Sequence, residues 1–196
     1  MIRTIWAALV LSAAVLTGGC AHPISLTADA ASIVGSAGGA KADRKVGLVV
    51  TEEQRKREVV SPGGGGDKLS YFPYRDLETG LYMALSEHFT GVSIVNGPGD
   101  AKVKSEGLTL FVSPEISTTS HSPSLLTWPP TVFTVELACT VKDANDRVLK
   151  QLRVQGEGRA EFDEFKADPS LSAKRASNDA LKKLVRAIGE FKSGLR

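Results

Sequence analysis

Three histidines, two cysteines and a scatter of carboxylates are the residues through which this 196-residue chain could do chemistry. His22, His88 and His121 stand far apart, and neither an H-x-x-x-H nor a C-x-x-C spacing occurs, so the sequence holds no metal motif. Ser117 to Ser124 reads STTSHSPS, a polar loop. Ser120 beside His121 puts a hydroxyl next to a base, but adjacency supplies no orienting acid, and G-x-S-x-G is absent. Glu52 and Glu53 read as solvated charge rather than a general acid and base. The run Gly63–Gly66 lacks the Gly-Lys-Ser/Thr that opens a helix in a phosphate loop, so it reads as a loop tip. The expectation is a protein with no catalytic, metal or cofactor site, and no enzyme.

Cys20 has a different setting. Arg3 supplies a short positive region, and Ile5 to Leu16 is an apolar run of twelve, suited to a signal peptide and short for a membrane span. The run ends in Leu16-Thr17-Gly18-Gly19-Cys20, which resembles a bacterial lipobox. Gly18 and Gly19 keep the chain thin, so that a peptidase can reach the bond before Cys20. Thr17 stands where a lipobox usually carries Leu, Val or Ile. Ordinary secretory cleavage after Ala21 and a retained signal anchor are the competing readings. The resemblance implies a diacylglycerol on the Cys20 thiol and an acylated amine. At roughly 0.8 kcal/mol per buried methylene, two or three acyl chains hold a protein on a bilayer almost permanently. Ala21, rather than Asp, after the cysteine implies the bacterial outer membrane, with the domain facing the periplasm.

The expected organisation is a signal peptide over 1–19, a lipidated N-terminus and flexible tether over 20–45, and one periplasm-facing domain over 46–196. The tether rests on composition: thirteen of the twenty-five residues from Ala21 to Lys45 are Ala, Gly or Ser. Ile24–Thr27 could still form a short edge strand. The chain is 42% hydrophobic and 23% charged, ordinary values for a globular protein. With 24 Lys+Arg against 22 Asp+Glu, it lacks the basic excess of a nucleic-acid binder. Two cysteines exclude a disulfide scaffold, and Cys139, within an apolar strand, reads as a small buried hydrophobe.

Several elements must position whatever the domain does. Val46–Val50 is apolar without alternation, a strand covered on both faces. Thr51-Glu52-Glu53-Gln54 could open a helix as a capping box, but the polar residues after it favour an extended segment. Asp76 is an expected N-cap for a helix carrying Leu77, Leu81, Leu85, His88 and Phe89 and closed by Gly91. Val92–Val95 follows as a strand, completing a strand–helix–strand crossover. Leu108, Leu110 and Val112 alternate as another strand, stopped by Pro114. Phe133, Val135, Leu137, Cys139 and Val141 alternate with polar residues, turn at Asp143–Asp146, and return through Leu152 and Val154 as a hairpin with one dry face. Gly156 and Gly158 could bend that strand or admit a close neighbour. Asp168 and Pro169 open a terminal helix whose stripe is Leu181, Leu184, Val185, Ile188 and Phe191. The predicted fold is α+β in two layers: a mixed sheet of about four to six strands, one internal helix and one C-terminal amphipathic helix packed on it.

This succession of lipobox, polar tether, apolar first strand, helix, hairpin at an Asp-rich turn and terminal helix resembles small bacterial envelope lipoproteins. It is most similar to the YajG type, and more distantly to the LptE type and secretion-accessory lipoproteins. The likeness is one of pattern over residues 24–192. It implies a non-enzymatic accessory that binds or scaffolds an envelope protein complex, with the membrane reached through the lipid anchor. The alternative is a glycolipid- or phospholipid-binding module. Two features offer contacts for a protein partner or lipid. Leu125, Leu126 and Trp128 lie in a proline-stiffened loop, where Trp128 could equally cap the core. Lys174, Lys182, Lys183, Arg186 and Lys192 form a basic helix face, which could meet phosphates or simply be solvated.

Overall fold

The computed structural model describes residues 21–62, 68–122 and 131–194. Eight strands form two sheets: β1 (Ala21–Pro23), β2 (Ala42–Val49), β3 (Val59–Pro62), β4 (Lys68–Tyr71), β5 (Phe89–Val95), β6 (Leu110–His121), β7 (Val132–Asp143) and β8 (Val148–Arg159). The larger sheet has the order β5-β2-β6-β7-β8, and the smaller one β1-β4-β3. In the larger sheet β2 runs parallel to both neighbours, whereas β6, β7 and β8 are successively antiparallel. The helices are α1 (Glu52–Arg55), α2 (Pro73–Ser86), α3 (Ala101–Ser105), α4 (Phe162–Ala167) and α5 (Leu171–Ser193). The fold is the expected mixed α+β arrangement with the C-terminal helix on the sheet. The second, smaller sheet was not legible as a sheet.

Cover on both faces explains the unbroken apolar run of β2. Val46 and Leu48 enter the main core, while Gly47 and Val49 face a second cluster of Val95, Leu108 and Phe111 closed by Val103 of α3. Gly47 is tightly enclosed: an added Cβ would lie 3.0 Å from Phe111 Cδ1, so that ring would have to give. The hairpin is as its alternation predicts: Phe133, Val135, Leu137, Cys139 and Val141 are all buried. At the turn, the Asp143 carboxylate accepts from the N–H groups of Asn145 and Arg147 at 2.9 and 3.0 Å. Asp146 there takes a positive φ of 62°, which an Asp tolerates better than most residues.

The long helix α5 lies across β8, at a distance set by small residues on both elements. A Cβ on Gly156 would sit 2.2 Å from the Ala176 carbonyl oxygen, and one on Gly158 would sit 2.0 Å from that of Ser172. Ala173, Ala176, Ser177 and Ala180 form the facing stripe, so backbone packs on backbone along half the helix. Further on, Leu181, Leu184, Val185 and Ile188 meet α2 and the sheet, as the expected stripe requires.

Residues 21–45 are not a tether. Leu26 and Ile33 are wholly buried, and Ile24 nearly so. Burying one such side chain contributes about 1.5–3 kcal/mol, against about 1–2 kcal/mol to fix one residue's backbone, so three anchors with several hydrogen bonds can hold a short arm. Those bonds are supplied by elements distant in sequence. The N–H of Ser25 donates to Ser170 Oγ at 3.0 Å, that of Leu26 to Asp76 Oδ2 at 3.0 Å, and that of Asp29 to Asn178 Oδ1 at 2.8 Å. The folded unit therefore includes Ala21, and its first large-sheet strand starts at Ala42, not Val46.

Asp76 is accordingly engaged by the arm and does not cap the helix. That helix begins earlier, with Pro73 in its first turn, where a missing N–H costs nothing. It ends at Ser86, so His88 precedes the β5 strand, while Phe89 and Gly91 belong to β5 rather than to the helix or its closure. Four further local readings change. The capping box at Thr51 does form, with Gln54 N–H to Thr51 Oγ1 at 3.2 Å and Thr51 N–H to Gln54 Oε1 at 2.9 Å, so Glu52–Arg55 is a helical turn. Pro114 does not stop β6. It stands past Val112, the last β6 residue paired with β2, where no ladder continues on that edge. Consequently Ser117–His121 extends β6 instead of forming a loop, held by pairing with β7 through His121↔Val132. The terminal helix starts at Leu171, with Asp168 accepting from Ser170 N–H and Lys174 just ahead of it.

Candidate functional site

Of the residues singled out from sequence, Cys20 and the trio Leu125, Leu126 and Trp128 lie outside the described residues. Their chain neighbours lie within them. Ala21 is paired with Lys68 in the smaller sheet, and His121 is paired with Val132, the strand ends on either side of the Trp128 segment.

The basic face of α5 is divided. Lys183 Nζ donates to Asp179 Oδ2 at 2.7 Å and to the Gln155 carbonyl at 2.8 Å. Lys174 pairs with Asp168 at 2.8 Å, and Lys192 caps the Ala40 carbonyl at 2.9 Å. These three cations fasten α5 to β8, to its own N-terminal turn and to the arm. Lys182 and Arg186, one helical turn apart, are exposed, and Arg186 also feels the Asp179 carboxylate. What remains is a pair of outward cations, not a continuous basic stripe.

Cys139 and His88 are deeply buried titratable side chains, as is Tyr71, whose hydroxyl lies 2.7 Å from Thr118 Oγ1. Burial pushes the Cys139 thiol up to about 12, so it is a neutral hydrophobe at physiological pH. His88 is 2% exposed. Its Nε2 lies 2.6 Å from the Val185 carbonyl, which fixes the tautomer with the proton on Nε2, while Nδ1 has no hydrogen-bond partner. Burial lowers its pKa below the usual histidine value, the Val185 hydrogen bond opposing that in part. The ring sits against Gly189 of α5, where a Cβ would be 3.0 Å from Cε1. Cys139 and His88 hold the core together. Among the described residues no group of three or more His, Cys, Asp or Glu is placed to hold a metal ion.

Two cavities differ in kind. One is a slot of about 10 Å³ inside the core, lined wholly by apolar side chains including Val46, Leu81, Phe89, Cys139 and Phe191. That is scarcely the room for one water molecule. Another is an open cleft of about 560 Å³ between β8 and the end of α5, over Leu149–Arg153, Ala187 and Phe191.

One extended polar surface was read only in part from the sequence. It is the outer face of β6, β7 and β8, three twelve-residue strands whose inner face carries the core. Register sets its side chains in rows: Ser113, Thr140 and Gln151; Glu115, Ala138 and Arg153; Ser117, Glu136 and Gln155; Thr119, Thr134 and Glu157. Arg153 reaches diagonally to Glu136 at 2.5 Å, and the Thr119 and Thr134 hydroxyls meet at 2.5 Å. The β7 and β8 thirds of this face follow directly from alternation in the sequence. The β6 third was hidden because Pro114 and the Ser/Thr run look like the end of a strand.

No protein-family model matches the chain, and no curated protein matches it. Solved structures offer distant likenesses. One is a Xanthomonas campestris protein described under the family DUF330, at 9% identity and a TM-score of 0.47, covering 86% of this chain and 90% of that one. Another is a Caulobacter crescentus protein described as a candidate lipoprotein, at 14% identity and a TM-score of 0.37, covering 69% of this chain and 89% of that one. The functional reading rests on the chain's own residues.

Proposed function

We propose that this protein is a lipid-anchored envelope lipoprotein of the outer membrane that works, without catalysis, by presenting a rigid protein-binding surface to the periplasm. The observation that carries the reading is the outer face of β6–β8. It sets hydroxyl, carboxylate and guanidinium groups in register across three paired strands of the sheet that also seats α5. Such a face suits recognition by hydrogen bonding and charge pairing more than by apolar burial. The lipobox-like Cys20 supplies the anchor, and no helix among the described residues is long and apolar enough to cross a membrane.

The test is site-specific photo-cross-linking in intact cells at native abundance, with the photo-reactive residue placed at Ser117, Thr134 or Gln155. A discrete protein adduct at these positions, absent when the residue is placed at Lys104, supports the reading. Recovery of the lipoprotein alone from every outer-face position contradicts it. The lipid-binding alternative draws less from the structure, since three of the five expected cations on α5 are engaged internally.

A further inference from the structure

The distance between the anchor and the folded domain is fixed by where folding starts. A tether over residues 20–45 would behave as a coil with an end-to-end distance of roughly 25–30 Å, leaving the domain free to tumble above the lipid. Instead Ala21 is already a ladder residue, in register with Lys68, and the Ile24 N–H donates to the Ser70 carbonyl at 2.9 Å. In the chain a single peptide bond separates Ala21 from Cys20, and such a bond spans at most about 3.8 Å between Cα atoms.

From the lipidation of Cys20 proposed above, we infer that the domain rests directly on the bilayer that holds its acyl chains, and in one orientation. The pole in contact is set by the strand ends around Ala21. Lys68 pairs with both Ala21 and Pro62, and Ser61 Oγ meets Ser120 Oγ at 3.1 Å. His121 pairs with Val132, and Val132 with Arg159. These ends form one continuous rim. Just past Arg159, Phe162 is 54% exposed, with Lys166 Nζ 4.7 Å from its ring centroid, an aromatic and cation pair suited to a headgroup boundary. The opposite pole carries the Asp143–Arg147 turn, one strand length away, or roughly 40 Å for twelve residues. Paired charge does not drive the contact: Arg159 and Lys166 are matched by Glu157 and Asp163, and Lys68 adds a single exposed cation. The short connection does, and the proximity should therefore be insensitive to salt.

The test uses the full-length protein, purified lipidated and reconstituted in phosphatidylethanolamine/phosphatidylglycerol vesicles containing headgroup spin-labelled lipid. A fluorophore is placed on Lys68→Cys or, separately, on Asn145→Cys; Cys139 is buried and Cys20 is acylated, so neither competes. The expected result is at least several-fold stronger quenching at position 68 than at 145, unchanged at high salt. Inserting a Gly/Ser stretch between Cys20 and Ala21 should bring the two positions towards equality. Equally weak quenching at both positions, in protein whose mass shows the lipid, overturns this inference alone. An unmodified mass overturns the anchoring itself.

Discussion

Gly156 and Gly158 decide how closely α5 can lie on β8, because a methyl group at either would collide with helix backbone rather than with a movable side-chain tip. Gly158→Ala is expected to destabilise the protein by about 3 kcal/mol or more, beyond the usual cost of overpacking, as measured by urea unfolding in detergent. An unchanged midpoint would mean that α5 is not seated there. His88 gives stability a defined pH dependence. Its folded pKa lies below the unfolded value, so in that window the unfolded chain binds more protons. Stability from this group is therefore full above about pH 6.5, the unfolded histidine value, and falls as pH drops towards the folded pKa. His88→Gln, which can keep a donor towards Val185, should flatten the slope of unfolding free energy between pH 7 and 5. An unaltered slope would assign it to other groups. Cys139 should resist alkylation in the native protein and react at the rate of unfolding, followed by mass under increasing denaturant.

The arm from Ala21 to Ile33 is the element whose character the sequence disguises. Its Ala, Gly and Ser content matches a linker, yet Ile24, Leu26 and Ile33 are spaced to reach into the core, and its backbone donors find acceptors on α2, α5 and the residue before α5. Composition averages over a window, so the three buried anchors within the twenty-five residues from Ala21 to Lys45 were outvoted. Leu26→Ala should cost about 2–5 kcal/mol. Asp76→Ala should cost about 1–3 kcal/mol, by leaving the Leu26 N–H unpaired in a partly buried site. Val34→Ala, at a side chain 63% exposed, should be neutral in the same unfolding assay. A free arm would make all three silent. Where periodicity was strong, as in β7, β8 and the second half of α5, the elements and their buried faces were legible. Where a single residue carries the local signal, tertiary contacts override it: Asp76 serves the arm instead of its own helix, and Pro114 sits inside a strand.

At the level of the whole molecule, the proposed anchoring would make the strand ends around Ala21 and the outer face of β6–β8 parts of one oriented platform. The proposed anchor would adjoin the pole that holds Ala21, the Asp143–Arg147 turn marks the other, and the polar outer face runs between them. The platform itself was only half legible. The hairpin showed one face of the sheet, but the rim at Lys68, His121 and Arg159 exists only through pairings between segments far apart in sequence. Everything proposed about orientation and partner access depends on acylation of Cys20. The decisive measurement is the intact mass of the mature protein, with separation of inner and outer membranes, for wild type beside Cys20→Ser. A chain beginning at Cys20 with a lipid-sized mass increment, found in the outer membrane and lost from it in the variant, is the predicted result. Unmodified wild-type protein, free in the periplasm, would contradict it.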